Sequence, residues 1–215
     1  DLVAGNLGLN AKLQASKEQP VRMYYNDFDN NGTKEQILTY YIGKEEIPLA
    51  NKDELQKQIP IIKKKFLYAA DFANASLKDI FSNEKLQAAQ VFTADDFSNT
   101  VFLNKGNLHF TAQALPWQAQ LSPYRDAVVV DANGDNLPDI LLTGNYYENS
   151  IQLGRYDADY GTVAINKGGG RFECQPMNGV ILKGQTRHIR SININGKPAF
   201  IAARNNDSAM VIQFK

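Results

Sequence analysis

Apolar, β-branched and aromatic residues in this chain come in short runs separated by polar turns, the pattern of an antiparallel β protein. Residues 21–25 form one such run, and residues 37–42 another, with a mostly polar stretch between them. The same order returns in residues 127–130, the polar stretch 131–139 and residues 140–142. The two copies lie roughly a hundred residues apart, the spacing of an internal repeat with something placed between. A second kind of strand pair follows. Residues 100–103, the turn Asn104-Lys105-Gly106 and residues 109–112 are echoed by residues 162–165, Asn166-Lys167-Gly168 and residues 171–174. Asn-Lys-Gly with a Phe shortly after it is a hairpin signature. A third copy starts near Arg187, with strands at 189–194 and 198–203 around Asn195-Gly196, and residues 210–214 close the chain. At the other end, residues 1–6 read as a short strand and turn, and residues 11–19 as loop.

Between the first copy and its hairpin the period changes to helical. Asn51 with Glu54 three residues on has the form of a capping box. A helix is expected from there to Lys65, disturbed at Pro60. Residues 76–81 and 82–90 predict further short helices, buried through Leu77, Ile80, Phe81 and Leu86. The repeating unit is thus two strands around an acidic or Asn-Gly loop, then two strands around a tight turn. Four short antiparallel strands, recurring, predict a propeller blade. The expected fold is mainly β: a partial β-propeller of about three four-stranded blades over residues 1–215. An α-helical insertion at 51–92 should lie between the second and third strands of the first complete blade.

Composition narrows the picture. The 215 residues carry equal numbers of Lys plus Arg and Asp plus Glu, 23 of each, so no global charge favours nucleic acid or an anionic membrane. The Lys63-Lys64-Lys65 triplet reads as a solvated helix end. No run approaches a membrane span. The single Cys174 has no internal partner for a disulfide. The opening residues carry no initiator Met and no signal peptide, and they read as mid-fold strand, so the sequence is expected to be a piece of a longer protein.

The chemistry concentrates in the stretch 131–139. Asp131, Asn133, Asp135 and Asp139 put oxygen-bearing side chains at positions one, three, five and nine of a loop between two strands. A hard cation such as Ca²⁺ takes six to eight oxygens, and three carboxylates this close would repel one another without one. Gly134 lets the backbone turn. An EF-hand is rejected, because position twelve is Leu142 rather than Glu and both flanks read as strand. The plain alternative is a polar hairpin turn. Asp27, Asp29, Asn31 and Glu35 repeat the four positions in the earlier copy.

These loops, with Asn166-Lys-Gly-Gly-Gly-Arg-Phe172 downstream, resemble the FG-GAP/VCBS repeat of integrin-α-type β-propellers. Residues 1–10 and 154–161 further resemble bacterial VCBS-repeat proteins related to the cartilage acidic protein (ASPIC/UnbV) group. The resemblance implies a seven-bladed propeller, Ca²⁺ in the blade loops, and a cell-surface, extracellular or periplasmic setting. It also implies binding of a protein or carbohydrate ligand, or scaffolding, rather than catalysis. By this likeness Asp131, Asn133, Asp135 and Asp139 supply side-chain oxygens and Leu137 a backbone carbonyl. Asp27, Asp29, Asn31, Thr33 and Glu35 make a second, weaker site, where Glu replaces Asp at position nine and Gly32 stands at position six instead of four. The stretch 193–197 lacks carboxylates and is expected to bind nothing, and 71–79 reads as the start of a helix.

The rival function is an enzyme acting on polysaccharide with the propeller as its platform. A cluster of His, Arg and acidic residues on one blade face would favour it. His109 and His188 lie far apart, each in a predicted strand or strand entry, and read as ordinary solvated or satisfied histidines, with a catalytic pair as the alternative. No Gly-x-Ser-x-Gly elbow or zinc spacing occurs, and Gly168–170 reads as a turn. Asp157, Asp159, Tyr156 and Tyr160 sit on a long loop that reads as packed, with a sugar-binding surface as the alternative. The other tyrosines read as strand packing, and Trp117 is expected to be buried between blades, with a surface anchor as the alternative. Residues 1–6 are expected either to pair near 210–214 or to belong to a blade not in this sequence. An arc of three blades should expose apolar end faces, which favour self-association or contact with missing blades.

Overall fold

The computed structural model describes residues 1–213, so the expected end of the last strand at Phe214 lies outside the described residues. The protein is mainly β. Fourteen strands, β1 Leu2–Ala4, β2 Val21–Asn26, β3 Glu35–Ile42, β4 Glu45–Pro48, β5 Gln90–Ala94, β6 Thr100–Asn104, β7 Phe110–Ala114, β8 Tyr124–Val130, β9 Asp139–Gly144, β10 Thr162–Asn166, β11 Phe172–Pro176, β12 Thr186–Ile194, β13 Lys197–Arg204 and β14 Met210–Ile212, form four antiparallel sheets among the described residues. Five short helices fall between β4 and β5: α1 Lys52–Gln58, α2 Ile61–Lys65, α3 Ala69–Ala73, α4 Leu77–Ile80 and α5 Asn83–Gln87. The chain divides into two compact units. One holds residues 13–96 and the other residues 1–12 with 97–215.

In the unit of residues 13–96, the sheet runs β4-β3-β2-β5. The helices follow from local signals. Asn51 caps α1 and Glu54 returns the bond to the Asn51 amide, each at 3.1 Å. Pro60 separates α1 from α2 and serves as the N-cap of the second. Ser76 and Ser82 cap α4 and α5. Lys63, Lys64 and Lys65 are exposed, as a helix end should be. Leu55, Ile59 and Ile62 of the helical segment pack with Phe28 and Ile37 of the sheet region into one core, so the insertion supplies the apolar cover of that sheet.

Two expectations are corrected here. The insertion does not separate the second strand from Thr100–Asn104. The third strand is Glu45–Pro48, which pairs with β3, and Gln90–Ala94, expected within the insertion, returns to pair with β2. The helices therefore occupy 52–87, and α3 is an additional one.

In the other unit, the sheet β11-β10-β9-β8 is the complete four-stranded repeat. Its β9 is buried at every residue. Strand periodicity sends Leu141 to one face, with Val163, Ile189 and Phe200. It sends Ile140 and Leu142 to the other, with Val101 and Leu115. Both faces are thus covered, which explains the unbroken apolar run 140–142. Two three-stranded sheets flank this core, β1-β6-β7 and β12-β13-β14. The expectation of three four-stranded blades is corrected accordingly: two sheets have four strands and two have three. Residues 2–4 pair with β6, not with residues 210–212. Trp117 is not buried; it lies on a 3₁₀ turn with 69% of its surface exposed.

Candidate metal centre

Each acidic loop joins two antiparallel strands at the same register. Position nine opens the second strand opposite the last residue of the first: Asp139 faces Val130, and Glu35 faces Asn26. Both position-nine side chains are buried and reach back across the loop. Asp139 Oδ2 accepts the Ala132 amide at 2.9 Å, and Glu35 Oε2 accepts the Phe28 amide at 2.8 Å. The longer Glu thus fills the role of Asp.

The interiors of the two loops share most of their hydrogen bonds. Asn133 Oδ1 accepts the Asp135 amide, and Asp29 Oδ1 accepts that of Asn31. Asp135 Oδ1 accepts the Leu137 amide, and Asn31 Oδ1 that of Thr33. The carboxylates of Asp131 and Asp27 each take two further loop amides. The shifted glycine is explained by the backbone. Positions four and six have positive φ in both loops: Gly134 (80°) and Asn136 (63°) in one, Asn30 (61°) and Gly32 (87°) in the other. Gly and Asn are the residues that tolerate this conformation, so exchanging them between the two positions preserves the turn.

Two of the loop carboxylates are held in the charged form by amide donors. The Gly32 amide, helped by Asn31, holds Asp27 below the usual carboxylate range. The Leu137 amide and the Asn133 side chain do the same for Asp135. In the loop 27–35, one oxygen each of Asp27, Asp29 and Glu35 lie within 4.8 Å of one another. Oxygens bound to one Ca²⁺ at about 2.3–2.6 Å can be up to roughly 5 Å apart, so this trio fits a single ion. The donors are all oxygen, which suits a hard cation over Zn²⁺ or Cu²⁺. In the loop 131–139, Asn133 Nδ2 donates to Asp135 Oδ2 at 2.8 Å, and both Asp139 oxygens hold amides, the second that of Asn166.

The loop 27–35 also holds a tethered cation that sequence reasoning missed. Asn26 Nδ2 donates to the Lys85 carbonyl at 2.8 Å, fixing the start of that side chain. The Lys85 ammonium donates to the Asp27 carbonyl and to Asn30 Oδ1. In the loop 131–139 the nearby charge is Lys167, which is drawn to Glu173 at 3.1 Å.

Elsewhere in the unit of residues 1–12 and 97–215, a cluster joins residues that stand about sixty apart. Asp126 Oδ2 accepts the Ile189 amide at 3.0 Å and the Arg190 guanidinium, and lies 3.4 Å from His188 Nδ1. A register shift between Tyr124 and Asp126 interrupts the pairing of β8 with β9 at this residue. His109 takes no part; it lies at the entry to β7. On the long loop, Asp159 is buried and accepts from the Thr162 hydroxyl at 3.0 Å, while Tyr160 is half exposed. Arg125 stacks on Tyr146 and Arg155 on Tyr147, so these tyrosines carry cation–π contacts rather than strand packing alone. No helix of the described residues is long and apolar enough to cross a membrane. Comparisons with protein families, with curated proteins and with solved structures returned no match for this chain.

Proposed function

We propose that this chain is a Ca²⁺-binding module of the FG-GAP/VCBS propeller type, belonging to an exported protein and serving ligand or protein binding or a scaffold. The observation that carries the reading is the convergence of Asp27, Asp29 and Glu35 in a loop whose bonding is repeated at Asp131, Asn133, Asp135 and Asp139. Two strand-joining loops that share hydrogen bonds at positions one, three, five and nine support a common ligand better than two ordinary turns do. The four-stranded sheet covered on both faces supports the blade assignment. Bound Ca²⁺ would offset the mutual repulsion of the carboxylates and tie each strand pair together; Leu137 and Thr33 are the further oxygen sources at position seven.

The loop 131–139 is the tighter site in this reading. Lys85 already places a positive charge on the Asp27 carbonyl, whereas the Lys167 charge is shared with Glu173. Calorimetry on metal-stripped protein tests both points. Ca²⁺ should bind and raise the melting temperature, by about 3 kcal/mol of stability at a hundredfold excess over the dissociation constant. Asp131→Ala should remove the tighter site and Asp27→Ala the weaker. An unchanged melting curve with saturating Ca²⁺ would sink the metal reading.

The second reading, a polysaccharide-acting enzyme on the same platform, is favoured by the His188–Asp126–Arg190 cluster. An acid or base beside an orienting carboxylate is suitable for glycosidic chemistry. Against it, the Asp126 carboxylate is already committed to Ile189 and Arg190, which ties β8 to β12. Turnover of a polysaccharide panel that His188→Ala abolishes would establish it.

A further inference from the structure

Four Asn-Gly pairs occur in the chain: Asn31-Gly32, Asn133-Gly134, Asn178-Gly179 and Asn195-Gly196. Such a pair carries its own electrophile and nucleophile. The glycine amide nitrogen can attack the side-chain carboxamide that precedes it, because glycine has no β-carbon to obstruct the approach. Whether it does so in the folded chain depends on what already holds that amide.

In three of the pairs the glycine N–H is engaged. Gly32 donates to Asp27 Oδ2 at 2.9 Å, Gly134 to Asp131 Oδ1 at 2.8 Å and Gly196 to Asn193 Oδ1 at 2.8 Å. In the two acidic loops the carboxamide is held as well: Asn31 Oδ1 accepts the Thr33 amide, and Asn133 Oδ1 accepts the Asp135 amide. The fourth pair differs. Among the described residues neither the Gly179 amide nor the Asn178 side chain has a hydrogen-bond partner, and both residues are exposed. They form the tip of a turn after β11 whose two ends are tied down. The Met177 amide donates to the Gly161 carbonyl at 3.1 Å, and the Leu182 amide to the Tyr160 carbonyl at 2.9 Å.

We propose that Asn178 is a site of spontaneous deamidation, selected over the other three Asn-Gly pairs by the unengaged Gly179 amide. The Gly179 nitrogen loses its proton and attacks Asn178 Cγ. The N–Cγ bond forms, the Cγ–Nδ2 bond breaks, and the leaving nitrogen departs as ammonia with that proton. Water then opens the cyclic imide at either carbonyl, giving aspartate or isoaspartate. The net change is hydrolysis of one amide, with water as the co-reactant. At the other pairs a hydrogen bond must break before the glycine nitrogen can swing toward the carboxamide. That bond slows the step about fivefold where the acceptor is the neutral Asn193 and about tenfold or more where it is a carboxylate. Conversion adds one negative charge to a chain of zero formal net charge. The isoaspartate product also inserts a side-chain carbon into the backbone between Met177 and Leu182, which are buried in one core.

The test holds the intact 215-residue chain at mildly alkaline pH with a chelator, once folded and once in urea. Each pair is followed by peptide mass spectrometry that separates aspartate from isoaspartate. In the folded chain Asn178 should convert about fivefold faster than Asn195 and about tenfold or more faster than Asn31 and Asn133. In urea, where all four glycine amides are released, the rates should fall within about threefold of one another. Asn193→Ala removes the acceptor of the Gly196 amide and should speed Asn195 about fivefold. Any of the three converting as fast as Asn178 in the folded chain would overturn the proposal. So would the folded-state spread persisting in urea, or an Asn195 rate that Asn193→Ala leaves unchanged.

Discussion

Replacing Asp159 by Asn should change how stability depends on pH by an amount the structure sets. Burial pushes the Asp159 carboxyl up from the ordinary 3.8 to about 6. The Thr162 hydroxyl at 3.0 Å, the Gly161 amide and the Tyr124 hydroxyl at 3.4 Å favour the charged form but offset only part of this. Between these two pH values the folded chain holds a proton that the unfolded chain has lost. The contribution of Asp159 is therefore fully present below about pH 3.8 and is lost as pH rises through about 6. A rise of about two pH units at 1.36 kcal/mol each amounts to ~3 kcal/mol. Asp27, Asp79, Asp126, Asp135 and Glu148 are held below their ordinary values and act in the opposite sense, losing stability as pH falls. A pH profile of the natural chain mixes these effects, so the difference between natural chain and variant is the quantity to measure. The substitution keeps the size of the side chain and removes its ability to ionise. Urea denaturation followed by far-ultraviolet circular dichroism is suitable, because the single Trp117 is too exposed to report on burial. The natural chain should lose ~3 kcal/mol relative to Asp159→Asn between about pH 3.5 and 8. A difference that stays flat across this range would refute the assignment of a buried, only partly compensated carboxyl.

Three further outcomes follow from the geometry. Lys85→Met should tighten Ca²⁺ binding at the loop 27–35 about tenfold by removing a competing charge, read by calorimetry in an Asp131→Ala background; unchanged affinity would count against the competition. Gly144→Ala would set a β-carbon 1.8 Å from the Pro123 carbonyl oxygen, so a loss of about 3 kcal/mol or more is expected in chemical denaturation. Leu141→Ala empties a fully buried position between two sheets and should cost roughly 2–5 kcal/mol; a value under about 1 would mean that the two sheets do not share this core.

What the sequence determined by itself is what neighbouring residues decide. The strand–loop–strand order at both acidic loops, the two Asn-Lys-Gly hairpins, and the capping box at Asn51 are all set within a few residues, and the structure has them. Turn chemistry and capping act over such distances, so they can be read from spacing. The tertiary structure decided the partners. Thr100–Asn104 looked like the continuation of Val21–Ile42, yet it pairs with Leu2–Ala4, nearly a hundred residues back. Nothing local in a short apolar run specifies which edge it will meet; complementary burial does. Glu45–Pro48 and Gln90–Ala94 went unseen because their composition is weakly β and only pairing with β3 and β2 makes them strands. The same holds for chemistry. The spacing named both acidic loops, but only the folded chain gathers Asp27, Asp29 and Glu35 within ligand distance, brings Lys85 from a helix to their rim, and sets Asp126 beside His188 and Arg190. Charges far apart in sequence become partners only after packing has fixed the sheets that carry them.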